Sequence, residues 1–331
     1  MSYCPIAITM GDPNGIGPEI IAKAFATGEL GDCIVLGDAA RLTQAVEITG
    51  TGLPVNTLNG LDTLRSGDAL SVIQVGPDTS GSPFGEISAD AGYASFAYLE
   101  AGIDAALRHK ISALVTAPIH KEAWSKAGVA FPGHTEVLAD RAGGVPVAMM
   151  LANSELRVVL TTIHVSLRKA CDLITFDREL ETIRQAHSAG LALGYASPRI
   201  AVAGLNPHAG EGGLFGEEEI DIIAPAIEAA KVEGIDASGP WPGDTIFGRA
   251  RKGAFDVVVA QTHDQGLIPV KYLGVDDGVN ITFGLPFVRT SPDHGTAFDI
   301  AGTGKADPDS LLTSIDYARR LHAAAQNEIP S

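Results

Sequence analysis

The chain has 331 residues, 45% of them hydrophobic, and a formal net charge of −17. That length and apolar content suit two globular domains with sizeable cores, and so acidic a chain argues against nucleic acid or an anionic membrane as its partner. Three scattered cysteines, Cys4, Cys33 and Cys171, form no CxxC motif. No apolar run approaches the roughly 18–20 residues of a membrane span, and no basic leader precedes a signal-type apolar stretch, so a reducing, cytoplasmic setting is expected.

Strand-like and helix-like segments alternate along the chain, the signature of an α/β fold. Aliphatic and β-branched runs predict strands at Ile6–Met10, Cys33–Leu36, Ser71–Val75, Ala113–Thr116, Val145–Leu151, Val158–Thr162, Ile200–Ala203 and Val257–Ala260. Gly76–Pro83 reads as a surface loop. Phe96, Leu99, Ile103 and Leu107 recur at three- and four-residue spacing and predict a core-facing helix over Ala89–Lys110. A last helix opens on Asp307-Pro308, a capping residue followed by proline, and runs its apolar face through Leu311, Leu312, Ile315 and Ala318. His109, His187 and His322 fall in helical stretches and read as solvated.

Three other histidines share a distinctive context. His164 follows Val158–Ile163, His208 follows Ile200–Leu205 through Asn206-Pro207, and His263 follows Val257–Thr262. Short apolar runs of this kind read as buried parallel strands, and ligands of open α/β sheets bind beyond the carboxyl ends of such strands. A lone histidine there is usually a hydrogen-bonding loop residue. Three delivered to one sheet edge could hold a divalent cation and leave positions open for substrate. The first strand runs into Gly11-Asp12-Pro13-Asn14-Gly15-Ile16-Gly17-Pro18-Glu19, where glycines permit tight turns and Pro18 starts a helix whose free amides could face an anion. It lacks the GxGxxG dinucleotide fingerprint, which argues against a Rossmann domain.

Near the other end, Asp293-His294-Gly295-Thr296-Ala297-Phe298-Asp299-Ile300-Ala301-Gly302-Thr303-Gly304-Lys305 resembles the adenosine-binding loop of the isocitrate and isopropylmalate dehydrogenases. The turn Gly11-Asp12 with Gly15–Glu19 is similar to the one that ends their first strand. Their metal ligands are carboxylates, whereas this chain offers histidines, so a different branch is implied. Gly133-His134-Thr135-Glu136, Asn206–Glu211, His263–Gly266, Gly278–Thr282 and Gly284–Ser291 resemble strings of the 4-hydroxythreonine-4-phosphate dehydrogenase family of vitamin B6 biosynthesis. The likeness runs from Ile8 to about Ala318.

The resemblance implies two α/β/α domains of isopropylmalate dehydrogenase-like fold with the active site in the interdomain cleft. A cofactor-side domain would comprise about 1–130 plus 280–331, and a metal-binding, dimerising domain 131–279. It implies a homodimer with a shared active site and one divalent metal (zinc, cobalt, magnesium or manganese) on His164, His208 and His263. Substrate contacts fall on His134, Thr135, Lys271, Asn280 and Arg289. Cofactor contacts to NAD or NADP fall on His294, Gly295, Ala297 and Asp299; the loop holds no arginine, which favours NAD. A phosphorylated hydroxy acid needs fixed cations in an acidic protein, and Lys271 and Arg289 would supply them. Asp244, Asp264 and Lys121 are the candidates for the general base.

The implied reaction is oxidation of 4-phosphooxy-L-threonine to a 3-keto acid, which decarboxylates to 3-amino-2-oxopropyl phosphate. The alternative inside the family is a paralogue acting on D-threonate or D-erythronate 4-phosphate. Leu214-Phe215-Gly216 and Thr296–Asp299 lean that way. A dihydrodiol branch would not need the Gly-His-Thr-Glu segment. A non-catalytic metabolite or metal sensor would have lost part of a catalytic set that is present in full here.

Overall fold

All eight predicted strands form in the computed structural model of the chain, which describes residues 4–63, 68–145, 147–274 and 278–327. Contacts divide the chain into two units, Met1–Val147 with Leu285–His322 and Ala148–Gly284 with Ala323–Ser331. In chain order the first unit contains β1 (Ile6–Thr9), α1 (Gly17–Phe25), β2 (Cys33–Gly37), α2 (Ala39–Thr49), β3 (Val55–Thr57), β4 (Leu70–Gln74), α3 (Ala89–Leu107), β5 (Ala113–Thr116), α4 (Lys121–Lys126) and α5 (His134–Arg141). The second contains β6 (Ala148–Ala152), β7 (Arg157–Leu160), α6 (Leu167–Leu173), α7 (Phe176–Ala192), β8 (Ile200–Ala203), α8 (Ala224–Val232), β9 (Ala237–Trp241), α9 (Gly243–Arg251), β10 (Val257–Ala260), α10 (His263–Leu273) and β11 (Val279–Phe283). The chain then returns through β12 (Arg289–Pro292) to α11 (Asp309–Asn327). Pro146, inside the strand predicted at Val145–Leu151, lies outside the described residues.

In the first unit the strands run in the order β3-β4-β2-β1-β5-β12, and every pairing is parallel. Successive residues of β1 feed opposite cores: Ile6 and Ile8 pack with Ile20, Leu42, Leu311 and Ile315, and Ala7 packs with Ile34, Leu99 and Ile103. This is the two-residue period of a strand covered on both faces, and it explains the unbroken apolar runs. On α3, Leu99 and Ile103 are fully buried as their spacing predicts, whereas Leu107, at the helix end, is exposed. His109 lies just past that helix rather than within it, with φ 53°. Asp307 caps α11, its carboxylate accepting from the Asp309 amide at 2.9 Å.

The second unit is mixed, in the order β11-β6-β7-β10-β8-β9. The β11–β6 and β6–β7 pairs are antiparallel; β7, β10, β8 and β9 are parallel. Helix α10 lies close on this sheet at Gly266, where an added Cβ would come 2.5 Å from Leu160 Cδ2.

The turn after β1 is equally tight. Gly11 has φ +72°, and a Cβ there would stand 2.3 Å from the Pro118 carbonyl oxygen. Asp12 is fully buried, its Oδ1 accepting from the Asn14 amide at 2.9 Å. Burial raises its carboxyl from 3.8 to about 6, against the opposing pull of the Asn14 hydrogen bond and the Arg41 charge. The folded pKa is thus above the unfolded one, so the stability Asp12 contributes is intact below about pH 4 and lost as pH rises through about 6. Asp12→Asn keeps an acceptor for the Asn14 amide. Relative to wild type it should gain on the order of 3 kcal/mol between pH 4 and pH 7, measured by denaturant unfolding at both. A stability difference that does not change with pH would contradict this account of the turn.

Candidate active site

Strand order brings the three histidines to one edge. β10 lies between β7 and β8, with Ala260 opposite Leu160 and Val259 opposite Val202, so the carboxyl ends of all three strands coincide. His164, His208 and His263 stand just beyond those ends. His164 (φ 47°) and His208 (φ 55°) occupy the left-handed region, which costs non-glycine residues on the order of 1–3 kcal/mol and is concentrated at functional sites. His263 is the first residue of α10.

The rings of His164 and His263 are 5.5 Å apart between centroids, beside a cavity of about 390 Å³ lined by Thr162, Val165, Leu167 and Asp264 as well as both rings. Asp264 Oδ1 lies 2.7 Å from His263 Nδ1. A carboxylate there accepts the Nδ1 proton and leaves the Nε2 lone pair for a ligand. His208 is exposed on the following loop, its Nδ1 3.5 Å from Glu211 Oε2. Among the described residues no three His, Cys, Asp or Glu side chains gather as a metal site. The donor chemistry, three imidazoles at one sheet edge with two already adjacent, suits a borderline divalent cation.

Behind this edge is a cluster that sequence reasoning missed. Glu179 of α7 is fully buried. Its carboxyl meets Gln261 Nε2 at 2.8 Å and Thr161 Oγ1 at 3.2 Å, and burial raises it to about 7 against those two hydrogen bonds. Nothing flags it in Thr175-Phe176-Asp177-Arg178-Glu179, which reads as a capped, solvated helix start.

The first unit gathers the cationic and polar candidates Arg289, His134, Thr135 and Lys121. Arg289 of β12 is 4% exposed, donates from Nη2 to Thr116 Oγ1 at 2.7 Å, and is pulled down to about 10 by burial. His134 opens α5, its ring set edge-on against Trp124 at 5.7 Å. Burial, then the charges of Arg289 and Lys121, hold His134 well below the ordinary histidine range, so it is a neutral imidazole beside two cations. Its Nε2 is buried with no hydrogen-bond partner among the described residues. Thr135 follows in the first turn of the same helix. Lys121, the first residue of α4, brings its Cε to 3.6 Å from where a Cβ on Gly133 would stand.

The loop from Asp293 belongs to the same unit. His294 turns Nδ1 to within 3.0 Å of the Gly295 carbonyl, and its Nε2 is buried without a partner among the described residues. That orphaned nitrogen and the open space at Gly295, where a Cβ would meet nothing within 4 Å, fit a bound ligand. Ala297 has φ 40°, and Asp299 is exposed. Glu19, another buried acid not singled out from the sequence, accepts the Gly304 amide at 2.7 Å and the Gly302 amide. His120 stacks on Phe298 at 4.7 Å.

The remaining candidates lie in the second unit. Lys271 is in the last turn of α10 and Asn280 in β11 opposite Leu151. Asp244 is exposed in the first turn of α9.

The fold and these groups define an α/β oxidoreductase of isopropylmalate dehydrogenase-like architecture. The chain belongs to the pyridoxal phosphate biosynthetic protein PdxA family, whose model matches residues 29–318. It is 54% identical over 319 residues to the 4-hydroxythreonine-4-phosphate dehydrogenase of Beijerinckia indica, covering 96% of this chain and 95% of that protein. It is 47% identical over 325 residues to the D-threonate 4-phosphate dehydrogenase of Cupriavidus necator, covering 96% and 98%. The crystal structure of 4-hydroxythreonine-4-phosphate dehydrogenase from Klebsiella pneumoniae matches with a TM-score of 0.88 at 45% identity, over 97% of this chain and 98% of that one.

A dehydrogenase of this family uses a nicotinamide cofactor, which gives the loop a direct test. Because a Cβ at Gly295 meets nothing within 4 Å, Gly295→Val should leave stability within about 0.5 kcal/mol of wild type. It should raise the cofactor KM by about tenfold and leave the substrate KM nearly unchanged. An unchanged cofactor KM in steady-state kinetics would show that the loop does not face the cofactor.

Proposed function

We propose that the chain oxidises the secondary alcohol of 4-phosphooxy-L-threonine with NAD or NADP, giving a 3-keto acid that loses carbon dioxide to form 3-amino-2-oxopropyl phosphate. The observation that carries a phosphorylated, acidic substrate is the buried guanidinium of Arg289 beside the neutral His134 and Lys121. In a chain of net charge −17, a buried guanidinium suits short-range, charge-assisted hydrogen bonds to a substrate oxyanion. Arg289 offers a two-pronged donor to an oxyanion, His134 a neutral ring nitrogen, and Thr135 a hydroxyl at a helix start. Lys271 and Asn280 are the remaining proposed substrate contacts.

His164, His208 and His263 would hold one divalent cation, zinc or cobalt suiting imidazole best with magnesium and manganese as the other candidates. When bound it supplies Lewis-acid polarisation at the substrate's hydroxyl and keto oxygens. The reading includes a homodimer whose active site draws on both copies. Residues 293–305, with His294, Gly295, Ala297 and Asp299, would hold the cofactor, and NAD is favoured because that stretch has no arginine. A bound nicotinamide would accept the hydride from the carbinol carbon, and a base of this chain would take the hydroxyl proton. Asp264 is committed to His263 and acts as its positioning residue; Lys121 and Asp244 remain the candidates to take the proton.

The identity to a D-threonate 4-phosphate dehydrogenase supports a second reading, in which the substrate is that four-carbon sugar acid phosphate. The two differ at one substituent, amino against hydroxyl, and side-by-side kcat/KM values separate them. Both require the phosphate. Removing it from the preferred substrate should cost wild type on the order of 2–5 kcal/mol in kcat/KM, the range for truncating one partner of a desolvated ion pair. Arg289→Lys should lose most of that discrimination, because an ammonium cannot reproduce the fork. Equal efficiency on phosphorylated and unphosphorylated substrate in wild type would refute the assignment.

A further inference from the structure

The histidine edge is spanned from below by one buried acid. Glu179 accepts from Gln261 Nε2 at 2.8 Å and from Thr161 Oγ1 at 3.2 Å. The same Gln261 amide reaches the Ala203 carbonyl at 2.9 Å, and Thr162 Oγ1 donates to the Gln261 carbonyl at 2.7 Å. The cluster therefore joins the residues at or just past the ends of β7, β10 and β8. His164, His263 and His208 leave the sheet within a few residues of them. Removing a carboxyl from water is costly unless its oxygens are engaged, and an apolar side chain would serve packing alone more cheaply. A polar hub fixes directions as well as volume, because each hydrogen bond holds one strand end in one orientation.

We infer that Glu179 is a positioning residue for the cation site: through Gln261 and Thr161 it sets the spacing of the loops that carry His164, His263 and His208. This rests on the proposal that those histidines bind a divalent cation. It predicts that the acid acts by hydrogen bonding rather than by charge. Glutamine can replace it, accepting from Gln261 and donating to Thr161, whereas alanine leaves the three strand ends unjoined.

The test is titration of metal-free protein with Co²⁺, following the visible d–d absorption, alongside thermal melts. Wild type should bind one Co²⁺ per chain, and Glu179→Gln should stay within about threefold of its affinity and keep its spectrum. Glu179→Ala should bind roughly 10–100-fold more weakly, the usual cost of losing a partner behind the ligands, with a shifted band that reports altered ligand geometry. A folded Glu179→Ala protein with wild-type affinity and spectrum would overturn the inference. Should that variant fail to fold, Thr161→Val decides: it removes one of the two bonds at nearly constant volume, several-fold weaker Co²⁺ binding supports the inference, and unchanged binding overturns it. Absence of Co²⁺ binding by wild type would instead overturn the cation site itself, and this inference with it.

Discussion

The chemistry of the second unit depends on one constraint, the shared direction and register of three parallel strands. With β10 paired to β7 on one side and β8 on the other, three loops far apart in sequence leave the sheet side by side. Each carries a histidine. Antiparallel pairing of any one would send its loop to the opposite edge and dissolve the set. The unit does contain antiparallel strands, β6 and β11, and they are confined to the other side of β7. The left-handed backbone at His164 and His208 and the buried Glu179 are local costs of stability that packing alone does not explain. They fall at the edge where the proposed cation site needs directional geometry.

The first unit sets cationic and polar groups, Arg289, Lys121 and His134, close together in an acidic protein. Arg289 is buried in a parallel strand, steadied by the Thr116 hydroxyl. His134 beside it is kept uncharged by burial and by the neighbouring cations, so it adds no repulsion among them. At separations beyond a Debye length, about 8–10 Å in ordinary salt, the net negative charge is largely screened. On the proposed reading, recognition then rests on direct contacts. The glycine loops after β1 and after β12 are tied together by Ile16 and Thr296 and by the Glu19 carboxylate on Gly302 and Gly304, so the loop assigned to the cofactor is braced from α1.

Much of this was legible in the sequence, for physical reasons. Strands covered on both faces must be apolar throughout, so the runs at β1, β2, β5, β8 and β10 stand out. β3 and β9 do not: both are edge strands, one of three residues, the other carrying Gly239 and Pro240, which an edge tolerates. β12, Arg289-Thr290-Ser291-Pro292, is buried yet polar, and no periodicity reveals such a strand. The histidines were legible because each trails a strand. Glu179 and Glu19 were not, since an acid in the first turns of a helix ordinarily faces water, and only the fold shows that these two face inward. The left-handed backbone at His164 and His208 was equally hidden, because strand order sets adjacency and leaves loop conformation open.

Turnover is proposed to depend on a divalent cation held by histidines from these three strand ends. The most direct measurement is activity after exhaustive chelation and dialysis, followed by stepwise return of Zn²⁺, Co²⁺, Mg²⁺ or Mn²⁺ to wild type and to His164→Ala, His208→Ala and His263→Ala proteins of native fold. The stripped enzyme should show no turnover. Activity should return in wild type at one equivalent per active site for the tighter-binding ions, and none of the three variants should recover. Full activity in the metal-free wild type would contradict the account.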